Sequence, residues 1–504
     1  MNKIYLFVAV ALLSINVLNA QKSTPSIAVE IGPKKIDQWG RVADQIFHLE
    51  NGNILMLKSS KSSAVLNFRL YDSEMKFIDS YNLNKSDFYK DWNPEERVRI
   101  LFFREVKDKF QLFYSIERGN ELEVLTCHFD AENRTFSKDS RKIFSRKLNE
   151  ESERTQFTFA RSANNTRYLI TMYEEKLSGE ETAYHYLMTD DLRVIKKVKF
   201  SNLKRINGFV YTGSAVNNDG TIVSTAFEIE LRDKSGIEER VFVPLYLQFL
   251  RINETKPIVK EIDIEDKQLG DIVLGFNSEG TEIVIGGIYK EPLKLSSAGI
   301  FLAKYDANYP DAIVEELTGF DEDLKQSMFK FCVEGDLEDP GLIDQQLVKL
   351  IQDKEQGFYF VLDSGTAYSS KGITVISLDN SGVKRWDKHI LRIISGLSEF
   401  KFNASLKLIS FIKDDEFHLL INQGSNFNRL NPSTNYTLEV FLKPDLVHYT
   451  FNEEGDYTYD KILVFKDAGT ALLNSYAYKD GSIYFKAGGR MRKSRLVRAK
   501  IYED

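Results

Sequence analysis

Six histidines are the side chains best suited to hold a metal or shuttle a proton, and their spacing matches no motif for either, which leaves only convergence in space to bring them together. His48, His128, His185, His389, His418 and His448 are scattered along the chain, with no H-E-x-x-H and no H-x-H. A zinc peptidase of that type needs two imidazoles on one helical face. Most sit beside apolar residues, as in Phe47-His48-Leu49 and Phe417-His418-Leu419, and read as satisfied strand histidines; no metal is assigned. Paired acids such as Glu174-Glu175 and Asp190-Asp191 are expected on solvated turns in a chain with 74 Asp and Glu. A glycosidase pair is defined by separation in space. No G-x-S-x-G elbow, P-loop or G-x-G-x-x-G occurs. No catalytic residue and no cofactor is assigned.

The remaining candidates are contact residues. Asn84 to Arg97 reads NKSDFYKDWNPEER, with a short helical look and an exposed Trp92, and Asn426 to Tyr436 reads NFNRLNPSTNY. Trp, Tyr and Arg dominate binding hot spots, so Trp92, Arg97, Phe427, Arg429 and Tyr436 are the ligand- or partner-binding candidates. Arg490 to Arg495 is the one basic cluster, and its plain reading is a solvated hairpin loop.

The elements that must carry these loops follow from a repeat. Gln356 to Trp386 holds two dense apolar runs, Phe358–Leu362 and Ile373–Leu378, then Asp379-Asn380-Ser381-Gly382 and a return strand. Short β-rich runs separated by turn residues form an antiparallel meander. Apolar residues in succession mean strands covered on both faces. The opening marker, a turn before an apolar run, recurs at Asn51, Asp108, Asn165, Asp219, Glu279, Gln356, Asp415 and Asp480. That is about eight copies, roughly 55 to 65 residues apart. A second marker, an apolar run ending in a polar turn, trails at Tyr71-Asp72, Phe129-Asp130, Thr189-Asp190, Tyr305-Asp306 and Leu378-Asp379. Each unit holds four short strands, one blade of a β-propeller. The expectation is an all-β ring of eight blades, with seven the alternative.

Asp379 to Trp386 also resembles the D-x-x-G-x-x-x-W turn of quinoprotein-type propeller repeats. The resemblance covers this hairpin, implies a secreted bacterial propeller fold, and carries no quinone with it. Trp386-Asp387 is the only WD dipeptide, so a WD40 array is not supported.

The N-terminus, MNKIYLFVAVALLSINVLNAQK, has one Lys before an apolar stretch that closes at Leu18-Asn19-Ala20. It reads as a signal peptide, residues 1–20, cleaved before Gln21. It is too short for an anchor, since about 20 apolar residues span a bilayer. Residues 21–504 then form one propeller domain, secreted or periplasmic, and a monomer. A net charge of −7 argues against a nucleic-acid partner. Cys127 and Cys332, the two cysteines, could pair in an oxidising compartment, but two buried free thiols are the preferred reading.

Two expectations concern departures from the repeat. Residues 318–355 read as a helical insertion, with Leu342, Ile343, Leu347, Leu350 and Ile351 at helical spacing. The last unit is one strand short, and the alternating Ile27–Ile31 has no other partner, so it is expected to close the ring beside Leu496–Tyr502. The function expected is a non-enzymatic binding or scaffold propeller that presents loops to a protein or glycan. The alternative is a secreted hydrolase or lyase acting on carbohydrate or peptide at the axial channel.

Overall fold

The computed structural model describes residues 27–501 apart from 37–44, 61–64, 201–208, 330–344, 396–406, 425–443 and several shorter stretches. Eight four-stranded antiparallel blades form a ring. Their inner strands are Gln45–His48, Arg97–Val106, Ser152–Arg161, Phe209–Val216, Gln268–Phe276, Gln345–Asp353, Leu408–Lys413 and Thr470–Lys479. We number the blades 1 to 8 in that order. Blades 3 and 4 are joined into one sheet by a bridge between Glu181 and Phe209. The middle hairpin of blade 4 runs on to Lys234 opposite Ile237.

The core is distributed between the blades. One apolar cluster fills each boundary, from Leu57, Phe68 and Phe103 between blades 1 and 2 to Met56, Tyr484 and Leu496 between blades 8 and 1. Phe358 and Phe360 pack toward blade 5 while Tyr359 and Val361 pack toward blade 7. This is the two-faced burial that successive apolar residues require of a middle strand.

Ring closure is made by the chain ends. Ile27–Ile31 pairs antiparallel with Lys493–Ile501, Ile27 opposite Ile501 and Ile31 opposite Val497, and supplies the fourth strand of blade 8. Glu30 binds Lys500 at 2.5 Å and also pairs with Arg498.

A second device locks neighbouring blades. A polar side chain on an outer strand reaches a backbone carbonyl in the outer turn of the next blade. Arg141 Nη1 donates to the Asp191 carbonyl at 2.7 Å, and Lys196 Nζ to those of Arg251 and Ile252, both at 2.7 Å. Lys260 Nζ donates to Pro310 at 2.9 Å, and Trp386 Nε1 to Glu453 at 2.9 Å. Trp386 also stacks on Phe451, 5.6 Å between centroids. The turn before it is set by Asp379, whose Oδ1 accepts from the Ser381 and Val383 amides, and by Gly382 at φ +89°.

The segment 318–355 corrects one expectation. Its helix is Glu322–Phe329, with Leu324 and Met328 buried over the gap between blades 5 and 6. Gln345–Asp353, expected to be helical, is instead the inner strand of blade 6. The cause is a bulge between Leu347 and Lys349. It flips the alternation, so Leu347 and Leu350 share the blade 5 side while Val348 and Ile351 face blade 7. A bulged strand buried on both sides thus mimics a 3.6-residue period. Leu342 and Ile343 lie outside the described residues.

Candidate functional site

Every blade begins on its inner strand and repeats the same meander, so the inner strands run in one direction around the axis. Their first residues mark one mouth of the channel and their last residues the other. The inner strands of blades 2 and 3 carry five arginines: Arg97, Arg99 and Arg104 on one, Arg154 and Arg161 on the other. Val98, Ile100 and Phe103 turn into the boundary with blade 1. A bulge between Ile100 and Phe102 lets Arg104 keep the side that Arg97 and Arg99 share.

At the entry mouth Arg97 and Arg99 divide one acid, Glu117, at 3.6 and 3.5 Å. Burial pulls the Arg99 pKa below the usual guanidinium range, and the charges of Arg97 and Arg154 add to that pull against the opposing Glu117. Beside Arg154 lies Glu181, whose carboxyl is raised by burial while its Oε2 accepts the Tyr211 amide at 2.8 Å. At the exit mouth Arg104 and Arg161 lie within electrostatic reach of each other, and no acid pairs with either among the described residues. Both are exposed, yet surrounding protein desolvates Arg104 and lowers its pKa. Its place on an inner strand sets it beside the channel.

The same exit end holds a pocket of about 400 Å³ between blades 7 and 8. Phe411, Lys413, Tyr476, Tyr478, Ile483 and Ile501 line it. Tyr476 and Tyr478 are 40% and 65% exposed.

Several buried polar groups of blades 6 to 8 are braces. Arg392 is fully buried, donates from Nε to the Asn422 carbonyl at 2.9 Å and lies 3.5 Å from Asp363. Asn422 Nδ2 donates to the Ala471 carbonyl at 2.7 Å, and Tyr449 OH to Gln423 Oε1 at 2.5 Å. Four of the histidines are similarly occupied. His185 meets Thr171 Oγ1 at 2.9 Å and Ser224 Oγ at 3.3 Å. His389 meets Thr374 at 3.0 Å, and His418 meets His448 at 3.0 Å. Burial drives His185 and His448 down to about 3. Cys127 is free and buried, its thiol pushed up to about 12 by desolvation; Cys332 lies outside the described residues. Among the described residues no set of three His, Cys, Asp or Glu side chains is placed to hold a metal.

Of the contact candidates, Arg97 is exposed at the start of its strand, where it joins Arg99 and Arg154. Trp92, Phe427, Arg429 and Tyr436 lie outside the described residues. Arg99, Arg104, Arg154 and Arg161 were missed. Each is a single charge in an otherwise ordinary strand, and only the ring sets them beside one channel. The Arg97-Val98-Arg99 alternation at a strand start was the one signal available.

No family model matches this chain, and no curated protein matches it. Solved structures of similar topology include an oligogalacturonate lyase in complex with manganese, 11% identical over 94% of this chain and 98% of that one, TM-score 0.36. A prolyl endopeptidase is 10% identical over 76% of this chain and 46% of its own, TM-score 0.36. The phage phi92 endosialidase is 10% identical over 95% and 70%, TM-score 0.32. At this distance they carry no activity or ligand over to this chain.

Proposed function

We propose that the protein is a non-enzymatic binding propeller that acts outside the cytoplasm, as a monomer exported by cleavage before Gln21, and holds a protein or glycan partner at its channel. The observation that carries this reading is the set of arginines on the inner strands of blades 2 and 3. The buried Arg392, Asn422 and His185 brace strands, whereas Arg104, Arg154 and Arg161 serve no ion pair among the described residues and stand where a ligand would enter. A desolvated cation without a partner costs free energy, and a bound anion relieves that cost.

The second reading, a hydrolase or lyase acting on carbohydrate or peptide, rests on Glu181. A carboxyl raised by burial beside an arginine is a general-acid candidate. Incubating the purified protein with glycosidic and peptide substrate panels separates the two. Saturable binding without product supports the first reading. Turnover abolished by Glu181→Gln supports the second.

A further inference from the structure

Arg104 and Arg161 stand at the exit ends of the adjacent inner strands of blades 2 and 3, within electrostatic reach of each other. Like charges held together beside a channel destabilise the fold unless an anion joins them. Two guanidiniums can grip one carboxylate or sulfate through several charge-assisted hydrogen bonds. A second cationic level lies toward the entry mouth, where Arg154 is within electrostatic reach of Arg99. Arg99 lies five residues before Arg104, and Arg154 seven before Arg161, which at strand rise is about 16 and 23 Å. A small single anion cannot reach both levels, but an oligomer with repeated charges can. At the same exit end, between blades 7 and 8, stand the exposed rings of Tyr476 and Tyr478 and the pocket that Phe411 and Ile409 also line. Aromatic faces with hydroxyl edges stack on the apolar faces of pyranose rings while bonding their hydroxyls. Arginine for the charge and tyrosine for the ring are the two contacts an acidic sugar needs.

We propose that the channel binds an acidic oligosaccharide, one bearing carboxylate or sulfate groups, with Arg104 and Arg161 gripping an anionic group and Tyr476 and Tyr478 receiving a sugar ring. This rests on the binding reading and names the ligand class for the same channel.

The test is calorimetric titration of the mature protein with hyaluronan-derived (carboxylate) and heparin-derived (sulfate) oligosaccharides, with maltohexaose as the neutral control and poly-glutamate as the acidic peptide. The expected result is binding of one or both acidic oligosaccharides that weakens with salt and exceeds that of poly-glutamate. Arg104→Ala and Arg161→Ala should each reduce affinity about tenfold or more, with unchanged or raised melting temperature. Tyr478→Ala should reduce it without altering the salt dependence. Should an alanine variant fold poorly, Arg104→Gln keeps the polar bulk and is expected to lose the same affinity. Which oligosaccharide binds separates carboxylate from sulfate recognition. Preference for poly-glutamate or maltohexaose, affinity indifferent to both arginine variants, or no binding across the panel overturns the proposal. A protein-partner function would survive that failure. Cleavage of a bound acidic oligosaccharide would instead overturn the non-enzymatic reading and leave the ligand assignment standing.

Discussion

Val29 lies opposite Ala499 in the ladder that joins the first described strand to the last. That pairing makes blade 8 a four-stranded sheet and holds the ring shut, because its residues enter the apolar cluster shared with blade 7. Ile27 is 2% exposed there. A chain starting at Lys35 loses the five-residue ladder of Ile27–Ile31 and exposes the edge of Lys493–Ile501. Each lost ladder bond costs about 0.5 to 1.5 kcal/mol and a buried isoleucine about 1.5 to 3 kcal/mol. Thermal unfolding should show the shortened chain melting well below one starting at Gln21. Equal midpoints would mean the ring is closed without this strand.

Glu30 adds a pH-dependent part to the same closure. Hydrogen bonds from Lys500 and then Arg498 hold its carboxyl below its ordinary 4.5. The folded state therefore favours the ionised form. The stabilisation is complete above 4.5 and is lost as pH falls through the depressed folded value. Wild type should exceed Glu30→Gln in stability at pH 7, and the gap should narrow below pH 4.5 in chemical denaturation. A gap independent of pH would show that the charge contributes nothing. Solvent at this half-exposed pair keeps the effect small.

Trp386 tests the lock between outer strands and neighbouring turns. Gly455 sits against its ring, so a Cβ there would lie 2.6 Å from the indole, at a φ of +81°. Trp386→Ala should cost about 3 to 5 kcal/mol. Trp386→Phe keeps the stack on Phe451 but loses the bond to the Glu453 carbonyl, about 1 kcal/mol. Urea unfolding of both variants orders these losses, and a Phe variant as damaged as the Ala variant would make the N–H bond dominant.

What was legible in the sequence was whatever repeats. Turn residues such as Asp379 and Gly382 announce blades because backbone geometry demands them locally, and the alternation of Ile27–Ile31 announces an edge seeking a partner. Gln345–Asp353 was misread because burial on two faces through a bulge imitates helical spacing. The arginine set was illegible for another reason. Arg104 and Arg161 come from different blades, and their proximity depends on ring geometry that no local pattern encodes.

The corrected strand yields a deletion test. Replacing Asp321–Gln352 by a Gly/Ser linker removes not only the helix Glu322–Phe329 but nearly all of the inner strand of blade 6. Lys349 Nζ, which donates to the Ser410 carbonyl of blade 7 at 2.8 Å, and the Leu347 amide held by Asp271 of blade 5 at 3.1 Å go with it. The product should be insoluble or lack a cooperative transition. A cooperatively folding deletion would show that the ring tolerates a three-stranded blade.

The buried histidines predict the acid limb of stability. His185 and His448, 0% and 2% exposed, are held to about 3 against an ordinary 6.5 because burial disfavours the imidazolium. Below 6.5 the unfolded chain takes up protons at these rings and the folded chain does not, so stability falls as pH drops from 6.5 toward 3. Each ring contributes a slope of up to about 1.4 kcal/mol per pH unit in that window. Denaturation at pH 7.5, 6.5 and 5.5 should show little change over the first step and a clear loss over the second. His185→Asn should be weaker at pH 7.5, where it lacks the contacts to Thr171 and Ser224, yet flatter below 6.5 than wild type. Ring signals of His185 that titrate near 6.5 in the folded protein would contradict the buried, neutral imidazole.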